Sequence, residues 1–548
     1  MRSGVATINR RELISGLLGL SATALAGCSP SELASIQGEL FSPDFATGHR
    51  LRERPISIPS IREWVDIPVI IVGGGIAGLS AGWHLQRSCN LDFVLLELES
   101  QVGGTASSGS SDRFRFPWGA HYITTPLPEN TPLIELLQEM RVVEEIALDG
   151  AAIIAEDHLC RDPEERIFAD GSWHEGLFPV QGASQSDLDQ VAEFHEAMQE
   201  WSLKRDANGK RWFALPIAHC SEDPEPRELD RISMLQWMDE QGWDSPRLRW
   251  YVDYACRDDY GLTIDRTSAW AGILYYAGRL RNESRQSQDV ITWPQGNGYL
   301  VDHFRKKMES HVQAQKFVTR IRTPEESGRD SVCELAVFDK QRDDWIGYRA
   351  KRVIFAAPQF IAKHVIDGYG EGANHTDLPF RYSWWLVANI HLRDRPRDTG
   401  FPVCWDNIIY NSKSLGYVVS THQSGPDHGP TVWTWYYPFA DANPRFTREQ
   451  LLNVSWSDWA ELVLTDLQIA HPEIRSLVTR IDVMRWGHAM VEPYTGFVWS
   501  DSRRAASKPY RNIHFANSDL SGLALMEEAF FHGVRAADEV RAVLGDRV

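Results

Sequence analysis

The chain is short of cysteine, with seven in 548 residues and no Cys-x-x-Cys pair. That excludes a zinc framework built on paired thiolates and leaves disulfide pairing undetermined, and no metal site is expected. Basic residues are also scarce: 56 Lys and Arg face 75 Asp and Glu, a formal net charge of −19. Such a surface argues against nucleic acid as a partner. It would attract cationic substrates, although charge of this sign also serves solubility. A run long enough to span a bilayer is missing, because the apolar stretch from Leu13 to Ala26 stops at 14 residues. No internal repeat is visible. Tryptophan, in contrast, is plentiful: 21 residues point to large aromatic cores or an aromatic-lined cavity. The length asks for two or more domains, and 43% hydrophobic with 24% charged residues is a globular composition.

The N-terminus reads as an address. Asn9-Arg10-Arg11-Glu12-Leu13-Ile14 opens the apolar run in the manner of a twin-arginine export signal. The run ends in Leu25-Ala-Gly-Cys28, which resembles a bacterial lipobox with Cys28 as the lipidated first residue of the mature protein. Residues 1–28 are therefore expected to be a signal peptide, and the mature protein to be periplasmic or otherwise extracytoplasmic. Its membrane contact would run through the N-terminal lipid alone. The competing reading is a buried N-terminal helix with an incidental cysteine. Residues 29–64, rich in Ser, Pro and Arg and without periodicity, read as a tether.

Val69-Ile-Ile-Val-Gly-Gly-Gly-Ile-Ala-Gly-Leu-Ser-Ala-Gly82 joins an apolar β-branched strand to a small-residue helix. A second apolar strand follows and ends at Glu97, nineteen positions after Gly78. This is the spacing of a dinucleotide-binding βαβ unit. Gly73 allows the tight turn, Gly75 lets the backbone approach a pyrophosphate, and Gly78 lets helix and strand pack closely. The helix N-terminus offers N–H groups and partial positive charge to the phosphates, and Glu97 would accept from the adenosine ribose.

Elsewhere the pattern alternates between helices and strands. Thr131 reads as the N-cap and Pro132 as the first residue of a helix, Ser186 to Trp201 carries a helical apolar stripe, and Ser233 with Gln236 forms a capping box that Gly242 closes. Strands are expected at 317–321, 333–338, 352–357, 383–392, 415–421 and 431–437.

A second signature selects flavin. Glu97 is followed by Leu-Glu-Ser-Gln-Val-Gly103-Gly104, and later by Phe116-Pro-Trp-Gly-Ala-His121-Tyr. Near the C-terminus stand Ile513-His-Phe-Ala-Asn-Ser-Asp519-Leu-Ser-Gly522 and the helix-like stretch from Met526 to Val540. A strand ending at Asp519 can offer a carboxylate to a ribityl hydroxyl, and a helix starting near Met526 can aim its N-terminus at an isoalloxazine ring. Together these segments resemble the flavin-containing amine oxidase superfamily, which includes amine oxidases, phytoene-desaturase-like enzymes and protoporphyrinogen oxidase. The resemblance covers residues 65–125, 290–362 and 480–545. It implies FAD, places Val318 near the adenine, and makes Trp293-Pro-Gln-Gly-Asn-Gly298 the Gly-rich entry to a helix below the flavin. No Cys falls in the usual attachment pattern, so noncovalent FAD is expected. Twin-arginine export of folded proteins would let the flavin load before export.

The resemblance implies an α/β fold: an FAD-binding Rossmann-like domain of the GR2 type, with a discontinuous substrate domain of mixed sheet plus helices. The cofactor domain is expected from 65–125, 286–362 and 478–548, and the substrate domain from 126–285 and 363–477. One feature of polyamine- and monoamine-oxidase-like members is missing. The strand Tyr382-Ser-Trp-Trp385-Leu-Val-Ala-Asn389-Ile-His391-Leu has no Lys; the nearest position is Trp384 or Trp385. Arg485-Trp486-Gly-His488 keeps the family's Trp but does not assure an aromatic cage. The candidate catalytic residues are His488, Trp486 and His391, with His121 as a further proton carrier. Each histidine can equally be structural. Trp384, Trp385, Trp405 and Tyr410 would line a substrate tunnel or cation cage, or else belong to the core.

The expected function is an exported FAD-dependent oxidoreductase, amine-oxidase-like, that moves a hydride from a small-molecule substrate to flavin N5. Oxygen, a quinone or another acceptor would reoxidise the flavin. The alternatives are a desaturase or dehydrogenase of an apolar substrate and a lipid-anchored flavoprotein without turnover. Cys28→Ala is expected to shift the protein from the membrane to the soluble fraction on ultracentrifugation; unchanged membrane association would refute the anchor.

Overall fold

Four parallel strands fill the centre of the first sheet. Phe93–Leu96, Glu63–Val72, Asp344–Phe355 and Ile513–Phe515 lie side by side, and all run in one direction. Val69, Ile70 and Ile71 have no exposed surface, the near-continuous burial that a parallel strand covered on both faces requires. Val312–Gln313 extends one edge, while Cys333–Asp339 and Lys316–Arg322 continue as an antiparallel meander to the other. In this computed structural model the described residues are 17, 35–52, 56–88, 91–280, 289–326, 328, 330–370, 380–440, 448 and 452–545. Arg10, Arg11, Cys28 and Cys89 lie outside them. Leu17, the one described residue of the segment 1–34, is buried, and its carbonyl accepts from the Tyr437 hydroxyl.

The helix Ile76–Ser88 leaves the first strand and packs against Met526–Leu544. Small residues make this contact close. A Cβ on Gly533 would fall 2.0 Å from Ser80 Oγ and 2.2 Å from the Ala77 carbonyl oxygen.

A second, mixed sheet has eight strands in the order Leu40–Phe41, Val478–Val491, Tyr382–Leu392, Thr431–Pro438, Tyr417–Val419, Asp406–Ile409, Glu165–Ala169 and Ser172–Glu175. Leu386, Ala388, Ile390, Trp433 and Trp435 bury one face against the helix Trp456–Leu467. Trp385, Val387, Tyr436, Met484 and Trp486 form the other face, which looks toward the first sheet. Beside it stand the helices Gln185–Leu203, Met234–Gln241, Pro246–Tyr260 and Ala269–Ala277, around Phe194, Met234, Trp270 and Tyr260. The Ser233–Gln236 capping box is present, and Gly242 ends that helix in the left-handed region at φ 79°. The helix expected to be capped by Thr131 starts at that residue with Asn130 as its N-cap. Of the strand expected at 415–421, only Tyr417–Val419 pairs. Among the described residues, no helix is long and apolar enough to cross a membrane, and Cys160, Cys220, Cys256, Cys333 and Cys404 are free and buried.

Two expectations change. Residues 478–491, assigned to the cofactor domain, form a strand of the eight-stranded sheet. They pair along Tyr382–Leu392 and bury Ile481 and Val483 beneath Trp456–Leu467. Residues 35–52 are no aperiodic tether. Leu40 and Phe41 add a parallel strand at Val483 and Met484, and Asp44 caps a short helix by accepting from the Thr47 N–H at 3.0 Å. Lys340 Nζ donates to Asp44, and the Asp44 N–H donates to Glu99 Oε1 at 2.7 Å. The segment thus begins on one sheet and ends on the other.

At Gly78 an added Cβ would sit 1.9 Å from the Gly73 carbonyl oxygen, inside the turn itself. Gly78→Ala is expected to cost about 1–3 kcal/mol, read as a lowered thermal midpoint; an unchanged midpoint would contradict the close helix–strand packing.

Candidate cofactor and active site

The two sheets enclose a cavity of about 2150 Å³ at the C-terminal ends of the parallel strands. This is where ligands sit in open α/β sheets. Gly73, Gly75, Glu97, Gly103, Gly104, Val318, Asp519 and Met526 all line it. Gly78, also named for the cofactor, lies one helical turn behind and packs against the strand instead.

The turn explains its glycines. Gly73 has φ +106°, a left-handed value that L side chains avoid, and its N–H donates to the Leu96 carbonyl at 2.9 Å. A Cβ on Gly75 would meet nothing within 4 Å, so this residue presents bare backbone to the cavity. The Gly103 N–H donates to the Gly74 carbonyl at 2.7 Å, which fastens the Val-Gly-Gly segment beside the turn.

Glu97 stands at the end of the second strand, as its spacing predicts. Its Oε2 accepts from the Gly74 N–H at 2.6 Å and its Oε1 from the Glu99 N–H at 2.8 Å. The carboxylate therefore holds the glycine turn as well as facing the cavity, a role the spacing alone did not reveal. Burial pushes its pKa up against those two hydrogen bonds.

At the opposite end, Asp519 Oδ2 accepts from the Gln359 N–H at 2.8 Å and from the Tyr382 hydroxyl at 2.7 Å. Burial raises this carboxyl too. Tyr382 belongs to the eight-stranded sheet, so this hydroxyl joins the two sheets across the cavity. The helix Met526–Leu544 begins nearby, and its N-cap, Leu525, supplies no side-chain hydrogen bond. The first turn carries the buried acids Glu527 and Glu528, and the Glu527 carboxyl accepts from its own backbone N–H, so the helix end reaches the cavity through Leu525 and Met526. The buried Asn517 Oδ1, also lining the cavity, has no hydrogen bond.

These features fit FAD. The bare glycine turn at the start of the helix Ile76–Ser88 suits a pyrophosphate, Glu97 a ribose, Asp519 a ribityl chain, and the Met526 helix end the electron-rich edge of a flavin ring. Among the described residues that line the cavity, none is a cysteine.

The residues named for catalysis occupy different settings. Trp486 lines the cavity, and its Nε1 donates to the Trp118 carbonyl at 2.7 Å. His488 stacks on Phe360 at 4.3 Å between centroids, and its Nε2 accepts from the Arg448 guanidinium at 2.7 Å. Burial, with Arg448 beside it, lowers its pKa to about 3. His488 is thus neutral and its accepting nitrogen is occupied. His391 lies edge-on to Phe116, with Nε2 3.7 Å from Asp482 and without a hydrogen bond. His121 stacks on Tyr436 at 4.8 Å, and burial lowers its pKa to about 4. Of the aromatics named for a tunnel, Trp385, Trp405 and Tyr410 share the cavity-facing cluster with Trp118 and Trp486, whereas Trp384 packs on Phe439 on the other face. Sequence reasoning missed Tyr382. It stands in the segment inspected for a lysine, but nothing local ties its hydroxyl to Asp519.

The profile of the family described as flavin containing amine oxidoreductase matches residues 76–541. Oxidoreductase PigB of Serratia sp. is 20% identical over 553 residues, which cover 88% of this chain and 76% of that protein. Among solved structures, wild-type putrescine oxidase bound to putrescine superposes with a TM-score of 0.62 at 17% identity, over 87% of this chain and 100% of that one. Cyclohexylamine oxidase from Brevibacterium oxydans gives 0.61 at 15% identity, over 87% and 99%. These two likenesses show the fold.

Glu97→Ala removes both the turn's clamp and the ribose acceptor. The purified variant is expected to carry less flavin per mole of protein, measured by the absorbance released on denaturation; wild-type flavin content would contradict the role given to Glu97.

Proposed function

The chain belongs to the family of flavin containing amine oxidoreductases and is an FAD-dependent oxidoreductase. From that premise we propose that it oxidises an amine, at the carbon that bears the nitrogen. The supporting observation is the wall formed by Trp118 and Trp486, which shares one cavity with Asp519 and the Met526 helix end. It provides a dry, aromatic surface beside the flavin-holding groups. Bound flavin supplies hydride acceptance at N5 and later electron release to oxygen, a quinone or another acceptor.

The protein's part is holding and shielding. Asp519 and Tyr382 fix one end of the cofactor site, and Glu97 and Gly73 fix the other. The Trp486–Trp118 contact excludes water from the substrate face. No strong base is offered there. His488 is neutral with its accepting nitrogen engaged, and burial holds His391 and His121 neutral as well. A substrate that enters as the neutral amine fits this arrangement, because hydride departure from it needs no prior proton abstraction.

We further propose that the cofactor is held noncovalently, as the absence of a cavity-lining cysteine among the described residues supports. The arginine pair and Cys28 support an extracytoplasmic, lipid-anchored working form. The decisive experiment is anaerobic mixing of the purified holoprotein with a panel of primary and secondary amines, followed by the flavin absorbance. Amines are expected to bleach it. Bleaching by carotenoid- or fatty-acid-like substrates alone would overturn the amine reading in favour of a desaturase.

A further inference from the structure

The helix end assigned to the flavin ring opens on two acids. Glu527 and Glu528 stand in the first turn of Met526–Leu544, behind Leu525 and Met526, which line the cavity. Glu528 has no exposed surface, and its oxygens are engaged outside the helix. Oε1 accepts from the Ile217 N–H at 2.7 Å, and Oε2 from the Ser521 hydroxyl at 2.6 Å. Ser521 belongs to the turn Ser518–Ser521, which also carries Asp519. Through one hydroxyl, the Glu528 carboxyl therefore holds the turn that presents Asp519 to the cavity. His532, one turn further along the helix, completes the link. Its Nδ1 lies 3.2 Å from Arg535 Nε, which can only donate, so Nε2 carries the ring proton and donates to Ser521 Oγ at 2.8 Å.

The charges around Glu528 do not secure it as a carboxylate. Glu527, its neighbour, disfavours a second negative charge. Glu527 itself is met separately, by its own N–H, the Thr124 N–H and the nearby charge of Arg279. His532 is neutral, held far below its ordinary range by burial and then by Arg535 and Arg503. Cys220, beyond Ile217, is a thiol that burial keeps protonated. Arg503 of the helix Asp501–Ala506 acts on Glu528 as a cation, but its guanidinium donates to the Val498 and Leu520 carbonyls. Among the described residues it makes no ion pair with Glu528. Burial outweighs the two hydrogen bonds and this displaced cation, and pushes the Glu528 carboxyl up to about 7.

Its place in the helix gives this ionisation a consequence. A helix N-terminus carries about half a positive elementary charge, and a full negative charge in the first turn outweighs it. With Glu528 neutral the helix end favours negative charge in the cavity, and with Glu528 ionised it opposes it. We propose that Glu528 sets how reduction of the bound flavin depends on pH, and that Ser521 ties the same carboxyl to the position of Asp519. The balance is one hydride from substrate to the flavin and one proton from solvent to the Glu528 carboxylate, which becomes the neutral acid. The inference holds for any substrate, so it stands apart from the amine-oxidising reading. It requires only that the flavin ring face the Met526 helix end.

The test is the midpoint potential of the bound flavin, followed by spectroelectrochemical titration from about pH 5 to about pH 8. Holoenzyme of the wild type is compared with Glu528→Gln, which keeps the shape and removes the charge; equal flavin content checks its fold. At the acid end Glu528 is neutral, and the two potentials are expected to coincide. Above 7 the wild-type potential should fall away from that of the variant. At about pH 8 the variant should then hold about 10-fold more reduced flavin at equal applied potential, the scale of one charge at a partly buried helix end. Coincident or parallel curves over the whole range would overturn the proposal. If Glu528→Gln does not retain flavin, redox-difference infrared spectra of the wild type near pH 7 decide. A protonated-carboxyl band should grow on reduction, and Ser521→Ala should move it by removing the hydroxyl bonded to Glu528. No growth, or a band that Ser521→Ala leaves in place, refutes the role given to Glu528.

Discussion

A single buried carboxylate couples the two halves of this molecule. Asp519 takes one hydrogen bond from the backbone beyond the parallel sheet, at Gln359, and another from Tyr382 of the eight-stranded sheet. A charge held away from water must be met by donors, and here the donors come from opposite walls of the cavity. The cavity width at this point is therefore set by two hydrogen-bond lengths. Glu97 makes a comparable tie at the other end, where it holds the glycine turn instead of a second sheet. Between these acids the wall mixes ring faces such as Phe116, Trp118 and Trp486 with polar groups such as Ser107, Arg448 and Asp482.

The local parts of this design were legible in the sequence. The glycine turn, the acid ending the second strand, the Ser233–Gln236 box and the closing Gly242 each depend on residues a few positions apart. Local sterics and hydrogen bonding dictate them. Asp519 and Met526 were legible because a strand end followed by a helix start is also a short-range pattern. What stayed hidden depends on register between distant segments. The strand Val478–Val491 looks the same whether it joins either sheet; its burial of Ile481 and Val483 under Trp456–Leu467 decides the matter. The neighbouring placement of Glu165 and Asp406, 241 positions apart, follows from one parallel pairing that no motif marks. Tyr382 was hidden for the same reason.

The histidines give a different lesson. Three were singled out by residue type, and residue type says nothing about the partner. Arg448 fills the accepting nitrogen of His488, and Tyr436 covers His121. Burial without an acidic partner favours the neutral ring, and the two then act as polar wall material.

The segment from Gln37 to Arg52 has a consequence for how the molecule comes together. Its contacts are with Val483 and Met484 on one sheet and with Glu99 and Lys340 on the other. Those partners leave the ribosome after it, and the strand partners nearly last. The first-made part of the described fold is thus fastened last, as a buckle across the seam. Phe41, Asp44, His49 and Arg52 of this segment line the cavity rim. Closing it narrows the way in or out for a large molecule, which gives assembly a direction: fill first, fasten second. A pull on the chain upstream of residue 35 would be felt first at that buckle, before either sheet.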